Sequence, residues 1–266
     1  MEILCFKISG KLAHFRKYYA NNTAFSFTIP PRTCLMGIVA AAMGWQRDSY
    51  YEKLASENIR FGVRVLTPLK KSFHRLNFLS IKSLGDLSKK WSSDFRGEGG
   101  RIQTPFEIVS GWNLPRDMVS YQIFISPTDT GRDTFKDIKK QMLENQPVFN
   151  ITLGIANFNA TISDIQLIED SYIEEEETQE FILMHSAIPS RSIEKLEFEK
   201  NEFDSYNFVE EDMLPADFLA NNNREVRKMN RLLFSATHNP LRVILKSSFY
   251  KIQLPDEKIN IQFMDE

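Results

Sequence analysis

The sequence contains few of the residues from which disulfide frameworks and metal centres are built. Its 266 residues include two cysteines, Cys5 and Cys34, and four histidines. Both cysteines lie in apolar stretches, and two cysteines can form neither a disulfide framework nor, by themselves, a zinc site. We therefore expect a protein of a reducing compartment that uses no metal and no other cofactor.

Long apolar runs are also missing. The longest stretch of small apolar residues, 37–44, is far too short to cross a bilayer. The first residues alternate in polarity and lack the basic leader and apolar core of a secretory signal. Hydrolase elbows, Walker loops and dinucleotide-binding glycine turns are absent as well. These absences predict a cytoplasmic protein that uses no membrane and carries none of the common catalytic motifs.

What the sequence does have is a large apolar content and an uneven charge. Hydrophobic residues make up 42% of the chain and aromatic residues 12%, which supplies a sizeable core. Residues 1–101 contain 17 Lys and Arg against 7 Asp and Glu, whereas the remainder contains 16 against 28. Nucleic acid would be drawn to the first part, and the acidic part offers a face for basic proteins. The alternative is that the two parts interleave in space and their charges cancel locally.

Hydropathy periodicity predicts an α+β protein in which a β-α-β order occurs twice. Apolar runs predict strands at 2–9, 59–66, 119–125 and within 149–168, and helices are predicted at 32–43, 49–56 and 134–144. Gly44 is expected to end the first helix. Residues 67–117 are rich in cations and glycines, and their internal alternation predicts a protruding hairpin whose flexible part lies near residues 97–100.

The last third of the sequence predicts a smaller region of mixed structure. Residues 174–177 are four consecutive glutamates and predict a solvated acidic turn. Residues 217–235 predict an amphipathic helix whose cations share one face, namely Arg224, Arg227, Lys228 and Arg231. Strands are predicted at 242–245 and 249–254.

The connection at residues 11–29 and the hairpin both have the composition of an RNA-binding surface. Single-stranded RNA is held by cations that follow its phosphates and by aromatic planes on which bases stack, each stack contributing about 1–3 kcal/mol. We assign Phe15, Phe25 and Phe27 to the core. The predicted RNA contacts are Lys11, His14, Arg16, Lys17, Tyr19, Arg32, Lys70, Lys71, His74, Arg75 and Arg101.

Catalysis is the alternative to binding alone. Metal-independent RNA cleavage needs a base, an acid and a cation for the charged transition state. His14 with Tyr18 or Tyr19 could supply this set, and so could His74 with Lys70 or Lys71. No histidine has a spacing that requires such a role, so we predict a binding protein without catalytic residues. A scaffold that contacts only proteins is a third possibility, based on the acidic C-terminal part.

Several motifs of the first 165 residues resemble a known family. After the first strand the sequence reads Gly10-x-x-Ala13-His14-Phe15-Arg16, then Thr28-Ile29-Pro30-Pro31-Arg32-Thr33-x-x-x-Gly37-Ile38-Val39-Ala40-Ala41-Ala42-Met43-Gly44, and later Gln103-Thr104-Pro105-Phe106-Glu107 leading to Tyr121-Gln122-Ile123-Phe124-Ile125. These segments resemble the CRISPR-associated Cas-five proteins of the RAMP superfamily, and most of all their type I-B branch.

The resemblance implies an RRM-like ferredoxin core (RAMP) at residues 1–170, with a β-hairpin thumb inserted at 67–117 and a smaller C-terminal region at 171–266 packed on the core. It implies a subunit of a Cascade surveillance complex that holds the 5′ handle of CRISPR RNA. Such a subunit contacts the backbone and large subunits and meets target DNA only indirectly. In the type I-C branch the protein also cleaves precursor RNA with a tyrosine, a lysine and a histidine. Residues 67–117 here contain no adjacent Lys-His pair.

Overall fold

The computed structural model of the protein describes residues 1–20, 23–79, 101–144, 146–198, 208–219 and 223–265, apart from the side chains of residues 79 and 101. Within these residues the chain forms mostly antiparallel sheet, with two α-helices of more than one turn. The expected combination of helices with antiparallel strands is therefore present, although strand predominates.

A five-stranded sheet lies at the centre of the first half. Its strands are β1 (Ile3–Gly10), β5 (Ile59–Val65), β8 (Val119–Pro127), β9 (Ile151–Thr152) and β10 (Asn159–Ile168). Their order is β5-β8-β1-β10-β9, and every neighbouring pair is antiparallel. Because β1 is covered on both faces, its residues are buried almost throughout, which explains why its sequence is apolar without strict alternation.

The two faces of this sheet contribute to different parts of the core. Leu4, Phe6 and Ile8 pack in one cluster with α1 (Arg32–Met43) and α2 (Arg132–Glu144). Ile3 and Cys5 point the other way and pack with C-terminal residues in a second cluster. The sheet is thus a middle layer between the helices and the C-terminal strands.

The boundaries of α1 follow from its flanking residues. Pro31 lies directly before the first turn, and Gly44 ends the helix with φ of 70°, a conformation that glycine adopts without steric cost. The next amide, that of Trp45, returns to the carbonyl of Ala40 at 2.9 Å. The predicted limits of this helix are confirmed.

A long hairpin extends from the central sheet. Its arms are β6 (Leu69–Leu79) and β7 (Arg101–Gly111), which pair from Leu69↔Gly111 to Leu79↔Arg101. The base of β7 also pairs with β2 (Leu12–Ala13), and β3 (Phe15–Arg16) pairs with β4 (Ser26–Phe27). The predicted flexible part at residues 97–100 lies outside the described residues.

The C-terminal part forms three small antiparallel sheets. The first contains β11 (Ile173–Glu176), β18 (Phe249–Gln253) and β19 (Lys258–Ile261); the second contains β12 (Ile182–Met184), β14 (Ile193–Glu197) and β17 (Leu241–Leu245); the third contains β13 (Ile188–Pro189), β15 (Val209–Phe218) and β16 (Val226–Ser235). The strands predicted near 242–245 and 249–254 are confirmed.

The helix predicted at 217–235 is wrong. The chain turns after Phe218 and returns as β16, which pairs with β15 from Val209↔Ser235 to Phe218↔Val226. Buried Leu232 and Phe234 alternate with more exposed neighbours, as a strand against the core requires. Of the cations predicted to share a helix face, Arg227 and Arg231 point to one side of β16 and Lys228 to the other, while Arg224 precedes the strand.

Two shorter predictions also need correction. The glutamates at 174–177 are solvated, but the first three continue strand β11, and Glu176 pairs with Lys251 at 2.6 Å. Residues 49–56 form a series of turns instead of a helix. At the glutamates, pairing with β18 outweighs the local preference for a turn. At residues 49–56, the packing of Leu54 against the core outweighs the local preference for a helix.

Candidate nucleic-acid interface

The basic segment at residues 13–19 is held to the core by its apolar members. Phe15 pairs with Phe27 across β3 and β4, and both rings are buried, as predicted. Arg16, which follows Phe15, points to solvent because successive side chains of a strand alternate in direction. The segment therefore presents its cation outward from a fixed backbone.

The hairpin lies directly beside this segment. The amide of Ala24 donates to the carbonyl of Pro105 at 2.9 Å, and the amide of Glu107 donates to the carbonyl of Ala24 at 2.9 Å. The buried carboxylate of Glu107 accepts a hydrogen bond from the amide of Ser26 at 2.8 Å. The two basic stretches, which are far apart in sequence, are thereby joined into one surface.

Exposed aromatic rings accompany the cations where the two stretches meet. Tyr18 and Tyr19 are 57% and 54% exposed, with ring centroids 5.2 Å apart. Phe25 and Phe73 are 39% and 56% exposed, and their rings meet edge to face at 5.6 Å. We call this set the aromatic–cation surface, comprising Arg16, Tyr18, Tyr19, Phe25, Phe73 and Arg75. Exposed rings beside arginines can stack on unpaired bases and contact phosphates.

Two of the predicted contacts, Lys17 and Lys71, are paired with acidic residues of β15. Lys17 forms an ion pair with Asp212, and both side chains are largely buried. Burial opposes the charged form of Lys17, but the hydrogen bonds and charges of Asp212 and Tyr19 together outweigh this effect, so the pKa of Lys17 is raised. Lys71 lies 3.5 Å from the carboxylate of Glu210. The nearby carboxylates reduce the attraction of both lysines for a phosphate.

Arg32 is completely buried and has a structural role. Its guanidinium donates to the carboxylates of Asp217 at 2.6 Å and Asp265 at 2.9 Å. It also donates to the backbone carbonyls of Leu54 at 2.7 Å and Ile59 at 2.6 Å. Burial raises the pKa of Asp265, and the attraction of Arg32 offsets this only in part. The predicted RNA contact at Arg32 is wrong, because its guanidinium does not reach solvent.

His14 is also buried. Its ring stacks on that of Phe106 with centroids 3.9 Å apart, and Nδ1 lies 2.7 Å from the backbone oxygen of Glu107. Because a carbonyl only accepts, Nδ1 carries the proton, while Nε2 has no partner among the described residues. Burial lowers the pKa of His14. The predicted RNA contact at His14 is wrong, and the described contacts of its ring include neither Tyr18 nor Tyr19.

The charge asymmetry of the sequence does not persist in space. Cations of the first part pair with carboxylates of the second part in the ion pairs Lys17–Asp212, Arg32–Asp217, Arg64–Glu257 and Lys71–Glu210. At these pairs the two parts of the sequence interleave in space and their charges cancel locally, as the alternative stated. Partner preference must therefore be inferred from individual surfaces and not from the net charge of each half.

A family model described as CRISPR-associated protein (Cas_Cas5) matches residues 3–229 of the sequence. The chain belongs to this Cas-five family. The resemblance inferred from the amino-terminal motifs is thus confirmed, and the match continues well beyond residue 165.

Solved structures with a similar fold include other CRISPR proteins. A CRISPR protein from Archaeoglobus fulgidus has a TM-score of 0.52 and 13% identity, with 98% of each chain covered. A chain of a CRISPR RNA-guided surveillance complex has a TM-score of 0.44 and 14% identity, covering 92% of this chain and 91% of that chain. A chain of a type III-B Cmr-beta complex bound to cognate target RNA and AMPPnP has a TM-score of 0.44 and 12% identity, covering 91% and 86%. The first of these shows a shared fold. No curated protein matches the sequence.

The remaining predicted contacts of this Cas-five chain lie on or beside the hairpin. Lys70 and His74 are exposed on one face of β6, whereas Arg75 shares the opposite face with Phe73. His74 Nε2 lies 3.0 Å from the hydroxyl of Ser72. Lys11 is exposed at the base and donates to the carbonyl of Asp117 at 3.2 Å. The side chain of the last predicted contact, Arg101, lies outside the described residues.

Two rings of the aromatic–cation surface escaped the sequence reasoning. Phe25 was assigned to the core, but it is 39% exposed. Its neighbours Ala24 and Ser26 are buried, so the chain that leads into β4 directs Phe25 outward. Phe73 was not singled out, although the alternation around it placed its ring on the face opposite to the side chain of Leu76. The signal that could have identified these two rings is which residues of the alternating segments point outward.

Neither a metal site nor a membrane span is found in the parts of the chain that the structure describes. No group of three His, Cys, Asp or Glu residues there is arranged to hold a metal ion. None of the described helices is both long and apolar enough to cross a bilayer.

Proposed function

We propose that this Cas-five chain is a non-catalytic, type I-B-like subunit of a cytoplasmic CRISPR surveillance complex (Cascade), in which it binds the 5′ handle of the CRISPR RNA. The observation that carries this proposal is the aromatic–cation surface. Four exposed rings and two exposed arginines lie together on strands β3 and β6 and on the chain next to β3 and β4, whose buried residues Phe15 and Phe27 anchor this segment in the core. Rings and cations in this combination are what an unpaired, negatively charged strand requires.

The topology supports an RRM-like ferredoxin core for this function. The elements β1, α1, β5, β8, α2 and β10 follow one another as β-α-β-β-α-β, and their strands have the order β5-β8-β1-β10. In this proposal the β6–β7 hairpin is the thumb, which lies against the RNA. The backbone and large subunits are the proposed protein partners, on the ground of family membership, and target DNA is met only indirectly.

The state of His14 is the reason that the proposal assigns this residue no catalytic role. A general base must reach the proton that it removes. Nε2 of His14 is buried against Phe106, and Nδ1 is engaged by a backbone carbonyl. Cleavage by this histidine would need the hairpin to move away from the segment at residues 13–19, which would break the strand pairing of Ala13 with Val109.

Purification of the tagged chain from its own cells tests the proposal. We expect a CRISPR RNA of uniform 5′ end to copurify with it, together with other subunits. Absence of RNA from an otherwise assembled complex would support a protein-only scaffold instead.

A second assay addresses catalysis. Purified chain is incubated with precursor RNA in the presence of a chelator, and we expect the RNA to stay intact. Discrete cleavage that is lost in His14→Phe or His74→Ala would replace the proposal by an endoribonuclease.

A further inference from the structure

A pocket of about 310 Å³ lies beside α1, outside the aromatic–cation surface. Its lining comes from α1, from the turns that follow α1, from β9 and from the β15–β16 hairpin. The lining includes Gly37, Tyr50, Asn150, Thr152, Phe218 and Arg224. The volume is at the lower end of the range for sites that enclose small molecules.

Small side chains of α1 form the floor of the pocket. Thr33, Cys34, Gly37 and Ala41 line it, and their spacing of three or four residues places them on one face of the helix. A Cβ at Gly37 would lie 3.4 Å from the hydroxyl of Tyr50. A flat group can therefore approach the helix backbone closely, and a large side chain at residue 37 would occupy its place.

Aromatic rings form the walls. The rings of Tyr50 and Tyr51 lie 4.8 Å apart, and the ring of Phe218 meets that of Tyr51 edge to face at 5.2 Å. Tyr50 and Phe218 line the pocket itself. Asn150 and Thr152 add an amide and a hydroxyl, which can form hydrogen bonds with the edge of a planar ring.

The rim holds an arginine in an unusual backbone conformation. Three non-glycine residues in the described parts of the chain have a positive φ, and two of them, Asp48 at 64° and Arg224 at 55°, bond to each other here. Arg224 Nε donates to Asp48 at 2.9 Å, and Asp48 also accepts from the hydroxyl of Tyr51 at 2.6 Å. Aspartate tolerates this conformation, whereas for arginine it is strained, and such strain is concentrated at ligand sites.

The pocket adjoins the back of the basic segment. Gly154 lines it with φ of 96°, and a Cβ there would lie 1.9 Å from the backbone oxygen of His14. Phe15 follows His14 in the sequence and precedes the exposed Arg16. The pocket residue Gly154 therefore lies against the backbone two residues before Arg16, a member of the aromatic–cation surface.

We propose that the pocket binds one unstacked nucleotide of the RNA, with its base between Tyr50 and Phe218 above the floor of α1 and its phosphate beside Arg224. This inference rests on the proposed function, because the nucleotide belongs to the same RNA. A purely apolar ligand would leave the amide of Asn150 and the hydroxyl of Thr152 without partners in the pocket. Aromatic walls, hydrogen-bonding groups and a cation together match the parts of a nucleotide.

Photo-crosslinking tests the location. The full chain is irradiated with a short random-sequence RNA that contains 4-thiouridine, and the modified peptides are mapped by mass spectrometry. We expect crosslinks at Tyr50 or Phe218 in addition to those at the aromatic–cation surface. Crosslinks at that surface alone would overturn the pocket proposal and leave the proposed function intact, whereas a chain that binds no RNA would overturn both.

A matched pair of substitutions at one position tests the space. Gly37→Leu fills the pocket. Gly37→Ala also replaces the glycine within α1, but its methyl group leaves most of the space free. We expect Gly37→Leu to weaken RNA binding roughly five- to 150-fold, the effect of one lost stack. Gly37→Ala should stay within about twofold of wild type. Equal affinities for the two variants, both with wild-type melting temperatures, would contradict the proposal. If Gly37→Leu does not fold, the crosslink map of the wild type decides.

Discussion

Arg16 and Arg32 stand in similar basic stretches of the sequence, yet they belong to two regions with opposite properties. Arg32 is buried between Asp217 and Asp265, whereas Arg16 is an exposed member of the aromatic–cation surface. The difference lies in what the fold brings to each. Carboxylates from the C-terminal part reach Arg32 and make it a structural residue, while exposed rings accompany Arg16. The fold therefore decides which cations of the basic segments face solvent and which stabilise the protein.

Within the basic segments, the carboxylates of strand β15 determine which cations are paired. Its carboxylates pair with Lys17 and Lys71, which lie next to the aromatic–cation surface. The same strand continues to Asp217, the partner of Arg32. One acidic strand thus separates cations that stabilise the fold from those that face solvent.

The largest expected effect is on stability, from Arg32→Ala. The substitution leaves the buried carboxylates of Asp217 and Asp265 without their counter-charge, and breaking such a buried pair costs about 3–5 kcal/mol. Chemical denaturation measures the free energy of unfolding. Arg16→Ala is the matched control and should change it by no more than about 0.5 kcal/mol. Similar losses for both variants would abolish the distinction between the two regions.

The next effect is on RNA binding, from Tyr19→Ala and Phe73→Ala. Each removes an exposed ring and should weaken RNA affinity by about 1–3 kcal/mol without changing stability, as measured by filter binding and thermal melting. Tyr172→Ala is the control, because Tyr172 is equally exposed at 55% but lies in the C-terminal part. If all three variants bind alike, the rings of the surface do not contact RNA.

Acid should partly rescue Arg32→Ala. Burial raises the pKa of Asp265 above its usual 3.8, so the folded chain binds this proton at pH values where the unfolded chain does not. Ionisation of Asp265 therefore costs stability in full above the folded-state pKa, and this cost shrinks as the pH falls below the folded-state pKa and is gone below the unfolded-state pKa. Without Arg32 the folded-state pKa rises further. The difference in unfolding free energy between wild type and variant should therefore shrink between a neutral and an acidic pH.

Denaturation curves at the two pH values measure this change. Comparing the variant with wild type cancels the titration of groups common to both, such as Glu57 and Glu257, whose pKa values are lowered by arginine partners. A difference that stays constant or grows in acid would mean that Asp265 is not buried beside Arg32.

The smallest effect distinguishes paired from solvent-facing cations. Arg16→Ala and Arg75→Ala should each reduce the slope of log affinity against log salt by about 0.7, the value for one phosphate contact on a single strand. Lys17→Ala and Lys71→Ala should reduce it less, because Asp212 and Glu210 already neutralise these lysines. Equal changes in all four variants would show that β15 does not set the boundary.

The parts of the fold that local signals determine were predictable. Pro31 and Gly44 mark the ends of α1, and the partial alternation around residues 72–78 and 101–106 indicates the arms of the hairpin. The helix predicted at 217–235 failed because the apolar spacing there fits two periods. Pairing with the distant β15 decides for a strand, and a single sequence does not reveal that partner.

The candidate site was predictable only in part for the same reason. Arg16 and Tyr19 follow from composition and alternation, but the burial of Arg32 depends on two carboxylates from the far end of the chain. The burial of His14 depends on Phe106 of the hairpin. Long-range contacts decide whether a residue of the right chemical type faces RNA or the core.

The central claim is that the aromatic–cation surface holds the CRISPR RNA. It is tested most directly by purifying tagged wild type and a Tyr19→Ala, Phe73→Ala double variant from the same cells and quantifying the RNA that comes with each. We predict that wild type and the Tyr172→Ala control carry RNA of uniform 5′ end. The double variant, folded as shown by its melting temperature, should carry at least about tenfold less, as the loss of two stacks requires. Undiminished RNA on the folded double variant would contradict the account.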